Sequence, residues 1–316
     1  AGTLFVGTQF GDGTVYAIRD ALGEHPQVTK FVQGLKVPNG VAFRDGALYI
    51  AEPQRILKFP RAEEASAGPR VPEVLVADLP YKNALHAWRY LAFGPDGKLY
   101  VPVGAPCNIC DERKFGLILR MNADGSGREV IARGVRNSVG MSWHPQTGEL
   151  WFTDNGRDML GDEVPADELN RMPVAGLDFG FPYCHGGDLA DPEFGALGSC
   201  ADAQAPVQKL GPHVAALGVR FYTGAMFPAE YRNQIFIAEH GSWNRSKEVA
   251  RTGYRITLVR LKGNAAVSYQ PFAEGWLDGD KVQGRPVDLL VAPDGSLLVS
   301  DDERGAIYRI SYQPGA

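Results

Sequence analysis

A short sequence unit recurs along the chain and limits what the chain can fold into. Each copy has an apolar run, a turn rich in Pro, Asp and Gly, and a second apolar run. Two such runs on either side of a tight turn predict a β-hairpin. The first three copies begin about 50 residues apart, which is a period typical of propeller blades. The copies occupy residues 41–50, 91–101, 141–152 and 289–299.

Further strands extend this pattern. A divergent hairpin spans 219–238, with residues 223–233 in place of the turn. The third strands, most of which end in or near a basic residue, are expected at 14–19, 55–59, 116–121, 254–261 and 305–311. Helix patterns are nearly absent, and residues 62–67 form the one short candidate. The N-terminal segment 4–19 reads as the later half of a unit. If it completes the C-terminal unit, the chain has six units, and the closed ring leaves no exposed sheet edge. We therefore predict an all-β fold, a single six-bladed β-propeller over residues 1–316 with ring closure between the N- and C-terminal strands.

The charge and hydropathy of the chain exclude some partners. The net charge is −5 with a pI near 5.7, and no basic run occurs, so nucleic acid is not expected as a main partner. No apolar segment approaches the roughly 20 residues that a membrane-spanning helix requires. The chain opens on Ala1 and Gly2 and runs directly into a strand, without the pattern of a signal peptide. Such a start also fits a chain from which an export signal has been removed.

The four cysteines fall into two groups, Cys107 with Cys110, and Cys184 with Cys200. The even count favours two disulfides in an exported protein. A zinc site is the alternative, although it would normally require a second close pair. Covalent haem attachment is excluded, because Asp111 stands where that motif requires a histidine.

The chemistry concentrates in residues 133–172. A hydrophobic strand pair there ends in an acidic, glycine-containing segment, which we interpret as a loop. Carboxylates and carbonyls in such a loop are the ligands of a hard cation. Arg136 and Asn137 precede the first of these strands and indicate an anionic ligand beside that cation.

Several motifs resemble, in the same order, the soluble glucose and sorbosone dehydrogenases that depend on pyrroloquinoline quinone (PQQ). The segment 83–97 resembles the part of that family that carries the catalytic histidine, here His86. The segment 238–245 is most similar to the sorbosone-dehydrogenase-like branch. The resemblance covers residues 36–312. The other matching segments are 136–137, 154–156, 167–170, 176–182 and 284–288.

The resemblance implies that His86 is the general base, taking the hydroxyl proton of a sugar while hydride leaves the same carbon. From the residues alone, a loop histidine bonded to backbone is the alternative. Glucose-oxidising members often carry an acidic residue before this histidine. Leu85 stands there in this chain, so different substrate contacts are expected.

A second set of residues is implied in holding PQQ, whose three carboxylates need several cationic groups. Arg136, Asn137 and Arg285 match family positions, whereas Val287 replaces a further arginine. Arg245 or Lys247 could supply the missing charge, and His213 lies where another cofactor contact is expected. Taken singly, an arginine is more often a member of a solvated surface pair than a cofactor ligand.

Two calcium roles are implied as well. Gly156 and Arg157 match the positions whose carbonyls hold the cofactor-bound ion, and Asp167 and Glu168 match an acidic pair near a structural ion. An acidic solvent-exposed loop is the alternative. Three tryptophans either line a sugar-binding mouth or pack between blades: Trp88, Trp243 and Trp276.

The resulting expectation is a periplasmic or secreted enzyme that uses PQQ and Ca²⁺ to oxidise a sugar. No haem motif is present, so electrons are expected to pass to an external acceptor such as a cytochrome or a quinone. One alternative is a metal-dependent lactonase-type hydrolase, with Glu52, Asn155 and Asp301 as candidate ligands. The other is a non-catalytic propeller that binds sugar or protein.

Overall fold

The computed structural model describes residues 2–64, 70–82 and 85–314, and within them the fold is almost entirely β. Six sheets there have three or more strands, and the chain is a six-bladed β-propeller, as the repeats predicted. The Cα positions group into two compact units, Ala1–Ile131 and Ala132–Ala316. A single domain over 1–316 stays a prediction. The short helix expected at 62–67 lies partly outside the described residues.

Three of the sheets begin in the first unit. The first sheet consists of β1 (Thr3–Val6), β2 (Val15–Arg19) and β3 (Gln27–Val32). The second consists of β4 (Gly40–Arg44), β5 (Ala47–Ala51), β6 (Ile56–Phe59) and β7 (Glu73–Val76). The third contains β8 (Ala92–Phe93), β9 (Leu99–Val103), β10 (Leu117–Met121) and β11 (Glu129–Arg133). The described pairs among these strands are antiparallel. The third sheet has a fifth strand, because β11 also pairs in parallel with Leu177–Asp178.

The second unit carries the other three sheets and a long insertion. Beyond β12 (Gly140–Trp143), β13 (Leu150–Asp154) and β14 (Ala166–Met172), the insertion contains β15 (Leu177–Asp178), β16 (Cys184–His185), β17 (Leu189–Ala190) and two 3-10 turns, Gly195–Leu197 and Cys200–Asp202. β18 (Gln208–Pro212) then completes the fourth sheet beside β14. The fifth has β19 (Ala216–Phe221), the 3-10 turn Ala229–Tyr231, β20 (Ile235–Glu239), β21 (Arg255–Lys262) and β22 (Ala265–Ala273). The short pair β23 (Leu277–Asp278) and β24 (Lys281–Val282) precedes the sixth, β25 (Pro286–Val291), β26 (Leu297–Asp301) and β27 (Ala306–Ile310).

The N-terminal segment differs in one detail from the expectation. Segment 4–19 was expected to supply the later half of a unit, but its strands β1 and β2 pair with β3 as a three-stranded sheet. Among the described residues, the sixth sheet also has three strands and does not pair with the first. The first and sixth sheets are therefore separate blades, which brings the count to six. β3 escaped detection because its first four residues are exposed and include Gln27, Thr29 and Lys30, which do not form an apolar run.

The second strand of a repeat is the most buried part of a blade. All five residues are buried in each of β5, β9, β13 and β20. Strands covered on both faces need apolar residues without alternation, which explains why the repeats read as continuous hydrophobic runs. The turns in the regular repeats are short, as in residues 94–97, where the Gly97 amide donates to the Gly94 carbonyl at 3.0 Å. Gly97 has φ +75, which favours glycine.

Both expected disulfides are present, one in each unit. Cys107 bonds to Cys110, and Cys184 bonds to Cys200, so the cysteines do not form the alternative zinc site. No helix among the described residues has the length and hydropathy needed to cross a bilayer.

Candidate active site

His86 lies in the segment between β7 and β8, in the first unit. Its side chain is buried, and Nδ1 lies 2.8 Å from the carbonyl oxygen of Ala105. A carbonyl can only accept, so Nδ1 carries the proton and donates, which makes Nε2 the basic nitrogen of the neutral ring. His86 has φ +56, a backbone conformation that residues other than glycine rarely adopt. The imidazole thus has one defined orientation and one defined tautomer.

Arg89 stabilises the turn that carries His86, and the sequence did not identify this role. It is only 1% exposed, and its guanidinium donates to the carbonyls of His86 and Trp88, both at 3.2 Å, and of Pro80 at 2.6 Å. Burial lowers the pKa of Arg89 to about 10, so the side chain remains a cation at neutral pH. A buried arginine that binds main-chain carbonyls acts as a brace for the loop. Its position directly before the apolar residues Tyr90 and Leu91 was the available sequence pattern.

In the second unit, the loop from β11 to β12 is held by Asp154, the last residue of β13. The two carboxylate oxygens accept from the backbone amides of Arg136 at 2.7 Å and Asn137 at 2.6 Å. Asn155 adds a bond from its Nδ2 to the Asn137 carbonyl at 2.9 Å. Burial raises the pKa of Asp154 well above its usual range, with the nearby Glu168 carboxylate adding to the effect.

The Arg136 side chain reaches from this loop to the segment after β13. It is 3% exposed, and it donates to the Asn155 carbonyl at 3.2 Å and to the Asp158 carboxylate at 2.8 Å. The other oxygen of Asp158 accepts from Asn244 Nδ2 at 2.6 Å. Asp158 therefore joins Arg136 to the segment between β20 and β21.

The next residue of that segment, Arg245, contacts the same acidic loop further along. It donates to the carbonyl of Asp162 at 2.9 Å and to the carboxylate of Glu163 at 2.8 Å. His213 approaches the same turn, because its Nε2 lies 2.8 Å from the Gly161 carbonyl. Arg136, Arg245 and His213, which the sequence analysis assigned to one cofactor site, thus all contact residues 155–163.

Arg285 meets the start of the same segment. Its guanidinium donates to the Gly241 carbonyl at 3.2 Å and to the Tyr254 hydroxyl at 3.1 Å, and it lies over the Tyr254 ring at 5.0 Å. The Nδ1 atom of His240 is 3.3 Å away. Segment 240–245 therefore links the three arginines. It contains Arg245, its Gly241 carbonyl accepts from Arg285, and its Asn244 side chain shares Asp158 with Arg136. All of these residues lie in the second unit.

Asp167 and Glu168 do not lie in a loop, as was expected, but in strand β14. Asp167 accepts from the amides of Gly156 and Ala215, both at 2.7 Å, whereas Glu168 accepts from the Gly186 amide and from Asn170 Nδ2, both at 2.8 Å. Burial raises the pKa of Asp167 to about 7. The two carboxylates serve different neighbours, and their place near a structural ion stays a prediction. The strand was missed because β14 carries charged and polar residues at buried positions.

Arg157 directs its side chain into the insertion. Its guanidinium forms a buried ion pair with Asp191 at 2.5 Å and a second pair with Glu193. The Asp191 carboxylate is also 2.8 Å from His185 Nε2. These contacts anchor the backbone of residues 156–157, whose carbonyls the sequence analysis assigned to a calcium ion.

Two buried polar atoms in this part of the second unit bear on whether its residues fit a cation and an anionic cofactor. The buried Asn155 Oδ1 has no hydrogen-bond partner among the described residues, and the carboxylates of Asp154 and Asp167 nearby are desolvated. An unpaired oxygen beside buried carboxylates fits a hard cation. The buried Arg245 Nε is likewise unpartnered in the described structure, so this guanidinium retains a donor for an acceptor such as a carboxylate.

The tryptophans divide between the two expected roles. Trp276 is buried in the apolar core with Leu289 and Leu297, so it packs between strands. Trp243 is 64% exposed on the 240–245 segment and remains a candidate for stacking on a ligand.

The carboxylates suggested for a hydrolytic metal site have other partners. Glu52 accepts from the Lys36 amide and from Arg55, and Asp301 accepts from the amides of Arg285 and Arg304. Across the described residues, no group of three or more His, Cys, Asp or Glu side chains is arranged to hold a metal ion.

Solved structures show that this propeller is a recurrent fold. The calcium structure of a Trichoderma reesei carbohydrate-active enzyme of family AA12 matches with a TM-score of 0.75 and 19% identity, covering 98% of this chain and 93% of that chain. The PQQ domain of pyranose dehydrogenase from Coprinopsis cinerea matches with a TM-score of 0.72 and 18% identity, covering 98% and 92%. At these identities the likeness establishes the fold class.

The sequence comparisons establish the family. The glucose/sorbosone dehydrogenase family model matches residues 54–309. An uncharacterized protein of Borreliella burgdorferi is 36% identical over 326 residues, covering 99% of this chain and 84% of that protein. The chain belongs to the glucose/sorbosone dehydrogenase family, which confirms the resemblance found in its motifs and supports a sugar dehydrogenase activity.

Proposed function

We propose that this protein oxidises sugars in a reaction that depends on PQQ and Ca²⁺, at an aldose C1 hydroxyl or at an aldehyde such as sorbosone. The observation that carries the proposal is the linked set of basic side chains around residues 155–163 and 240–245. Arg136, Arg245 and Arg285 belong to this set, and all three are cationic groups suited to a tricarboxylate. Family membership supports the same reaction class.

Within this proposal, each predicted residue has a defined task. Arg136, Asn137, Arg285, Arg245 and His213 would bind the cofactor, and the carbonyls of Gly156 and Arg157 would hold its ion. When bound, PQQ supplies a carbonyl that accepts hydride, and Ca²⁺ supplies a Lewis acid for its oxygens. Asp167 and Glu168 would lie near a second, structural ion, and their carboxylates also accept from the amides of Gly156 and Gly186.

His86 is proposed as the general base. The Ala105 carbonyl holds the proton on Nδ1, so Nε2 is the atom that can take a proton from the substrate hydroxyl. Because Arg89 and the left-handed backbone hold the turn, the imidazole keeps this orientation before substrate arrives. Such preorganisation lowers the cost of reaching the reactive geometry.

The disulfides indicate the cellular location of the protein. Two disulfides favour a periplasmic or secreted protein. We propose a sugar as the small-molecule partner and a separate electron acceptor, such as a cytochrome or a quinone, because no haem-attachment motif is present in the sequence.

The test reconstitutes the purified protein with PQQ and CaCl₂ and follows dye reduction with a panel of aldoses and aldehydes. His86→Gln should lower kcat by about 10²- to 10⁴-fold, the typical contribution of a general base, with PQQ binding measured by absorbance unchanged. His25→Gln, at an exposed position in the first unit, is the matched control and should leave kcat unchanged. A wild-type protein that binds PQQ but oxidises none of these substrates would overturn the assignment.

A further inference from the structure

The loop that supplies the Ala105 carbonyl also contains a disulfide. β9 ends at Val103, which pairs with Leu117 at the start of β10, and residues 104–116 form the connection. Ala105 is 2% exposed at the beginning of this loop. Two residues further on, Cys107 is bonded to Cys110. A covalent link therefore constrains the backbone directly beside the group that orients His86.

The two disulfides of the chain differ in their surroundings. Cys107 and Cys110 are both partly exposed and are separated by 3 positions in sequence. Cys184 is buried, and it bonds to the partly exposed Cys200, 16 positions away. Attack by a thiolate requires access to a sulfur atom. Both cysteines of the local disulfide are partly exposed, whereas only one cysteine of the other pair is, so we expect the local disulfide to be reduced first.

We propose that the Cys107–Cys110 disulfide is a positioning element for His86, acting through the Ala105 carbonyl. The inference rests on the proposed role of His86 as the base. With the disulfide closed, the loop has few conformations and the carbonyl stays 2.8 Å from Nδ1. With the disulfide open, residues 107–110 gain backbone freedom, and the Ala105 carbonyl is out of hydrogen-bonding distance of Nδ1 for part of the time. The imidazole then loses the main-chain acceptor that holds the proton on Nδ1.

This arrangement makes the base sensitive to dithiol reductants. One dithiol gives two electrons and two protons to the Cys107–Cys110 bond. The S–S bond breaks, two S–H groups form on the protein, and the dithiol becomes a cyclic disulfide. Reoxidation by the reverse exchange closes the loop again. The cycle changes no residue that the proposed function places at the cofactor.

The first experiment treats the protein with dithiothreitol, removes the dithiol by desalting under argon, and only then adds PQQ and CaCl₂, because a dithiol also reduces a quinone. Alkylation followed by mass spectrometry of a parallel sample identifies which cysteines are reduced. Selective reduction of Cys107 and Cys110 should lower kcat about tenfold and shift the pH profile of kcat, with KM changed less than about twofold. Reoxidation should restore kcat. The double variant Cys107→Ser/Cys110→Ser should reproduce the reduced state without dithiol. Unchanged kcat and pH profile in a reduced protein would overturn the proposal.

A second measurement does not depend on turnover. Nitrogen-15 NMR of the histidine rings, with the His86 signals assigned from His86→Gln, reports which ring nitrogen carries the proton. The oxidised protein should show a single Nδ1-protonated state for His86, and the reduced protein a mixture of both tautomers. Identical ring signals in the two states would refute the positioning role. If instead the ring responds but no sugar is oxidised, the proposed function fails while the structural inference holds.

Discussion

Replacing Arg89 tests how the His86 turn is built. The Arg89 guanidinium is buried, and three main-chain carbonyls accept from it, those of Pro80, His86 and Trp88. Methionine has a similar length and can fill the same space, but it donates nothing. Arg89→Met therefore leaves buried carbonyls without donors and removes the brace beneath a residue with φ +56.

The size of the effect follows from the acceptors that lose their donor. A buried polar group left without a partner costs about 1–3 kcal/mol. Two of the three bonds are long, at 3.2 Å, and burial already lowers the pKa of Arg89 to about 10, so we take the low end, about 1 kcal/mol for each carbonyl. We expect Arg89→Met to lower the free energy of unfolding by about 3 kcal/mol. Arg89→Lys, which keeps the charge without the planar fork, should lose less.

The assay is urea denaturation followed by tryptophan fluorescence, together with kcat of the reconstituted protein. Arg61→Met is the matched control, because the Arg61 side chain is 76% exposed and its pair with Glu64 lies at the surface, so its loss should cost less than about 1 kcal/mol. A loss below about 1 kcal/mol for Arg89→Met would refute the reasoning, since the three carbonyls would then not depend on this cation. A loss of about 3 kcal/mol with unchanged kcat would show that Arg89 stabilises the fold without affecting catalysis.

Three further predictions address the second unit. Asp154→Asn leaves one oxygen to accept from the amides of Arg136 and Asn137 and turns an amide N–H toward the second of them. The Kd for PQQ, measured by absorbance titration, should therefore rise about tenfold. The exposed Asp124→Asn is the control and should leave this Kd unchanged. Removal of calcium with EGTA should weaken PQQ binding in the same titration, and added CaCl₂ should restore it; affinity that is independent of calcium would contradict the assignment of Gly156 and Arg157. Burial raises the pKa of Glu239 above 4.5, so the folded state binds its proton more tightly than the unfolded state. The free energy of unfolding should therefore fall as the pH rises from 4.5 through the pKa of the folded state. Glu239→Gln should flatten this slope in urea titrations carried out from pH 4.5 upward, and an unaltered slope would exclude the carboxyl as its source.

Local sequence patterns determined the blades. The hairpin copies at 91–101 and 141–152 became β8–β9 and β12–β13, because the pairing partners are separated only by a tight turn and the apolar runs define both faces. The cysteine count likewise indicated both disulfides. Family motifs led to His86, Arg136 and Arg285, since each lies in a short segment with a recognisable order of residues.

The groups that hold those side chains became evident only in the tertiary structure. Ala105 and Arg89 act on His86 through a main-chain carbonyl and a buried guanidinium, and such contacts leave no pattern in the sequence. Asp167 and Glu168 read as an acidic loop, yet they lie in β14, where amides from Gly156, Ala215 and Gly186 stabilise their burial. The order of apolar and turn residues in the sequence determines which neighbouring strands pair. The satisfaction of buried polar groups depends on which distant parts of the chain return to the same place, and only folding decides that.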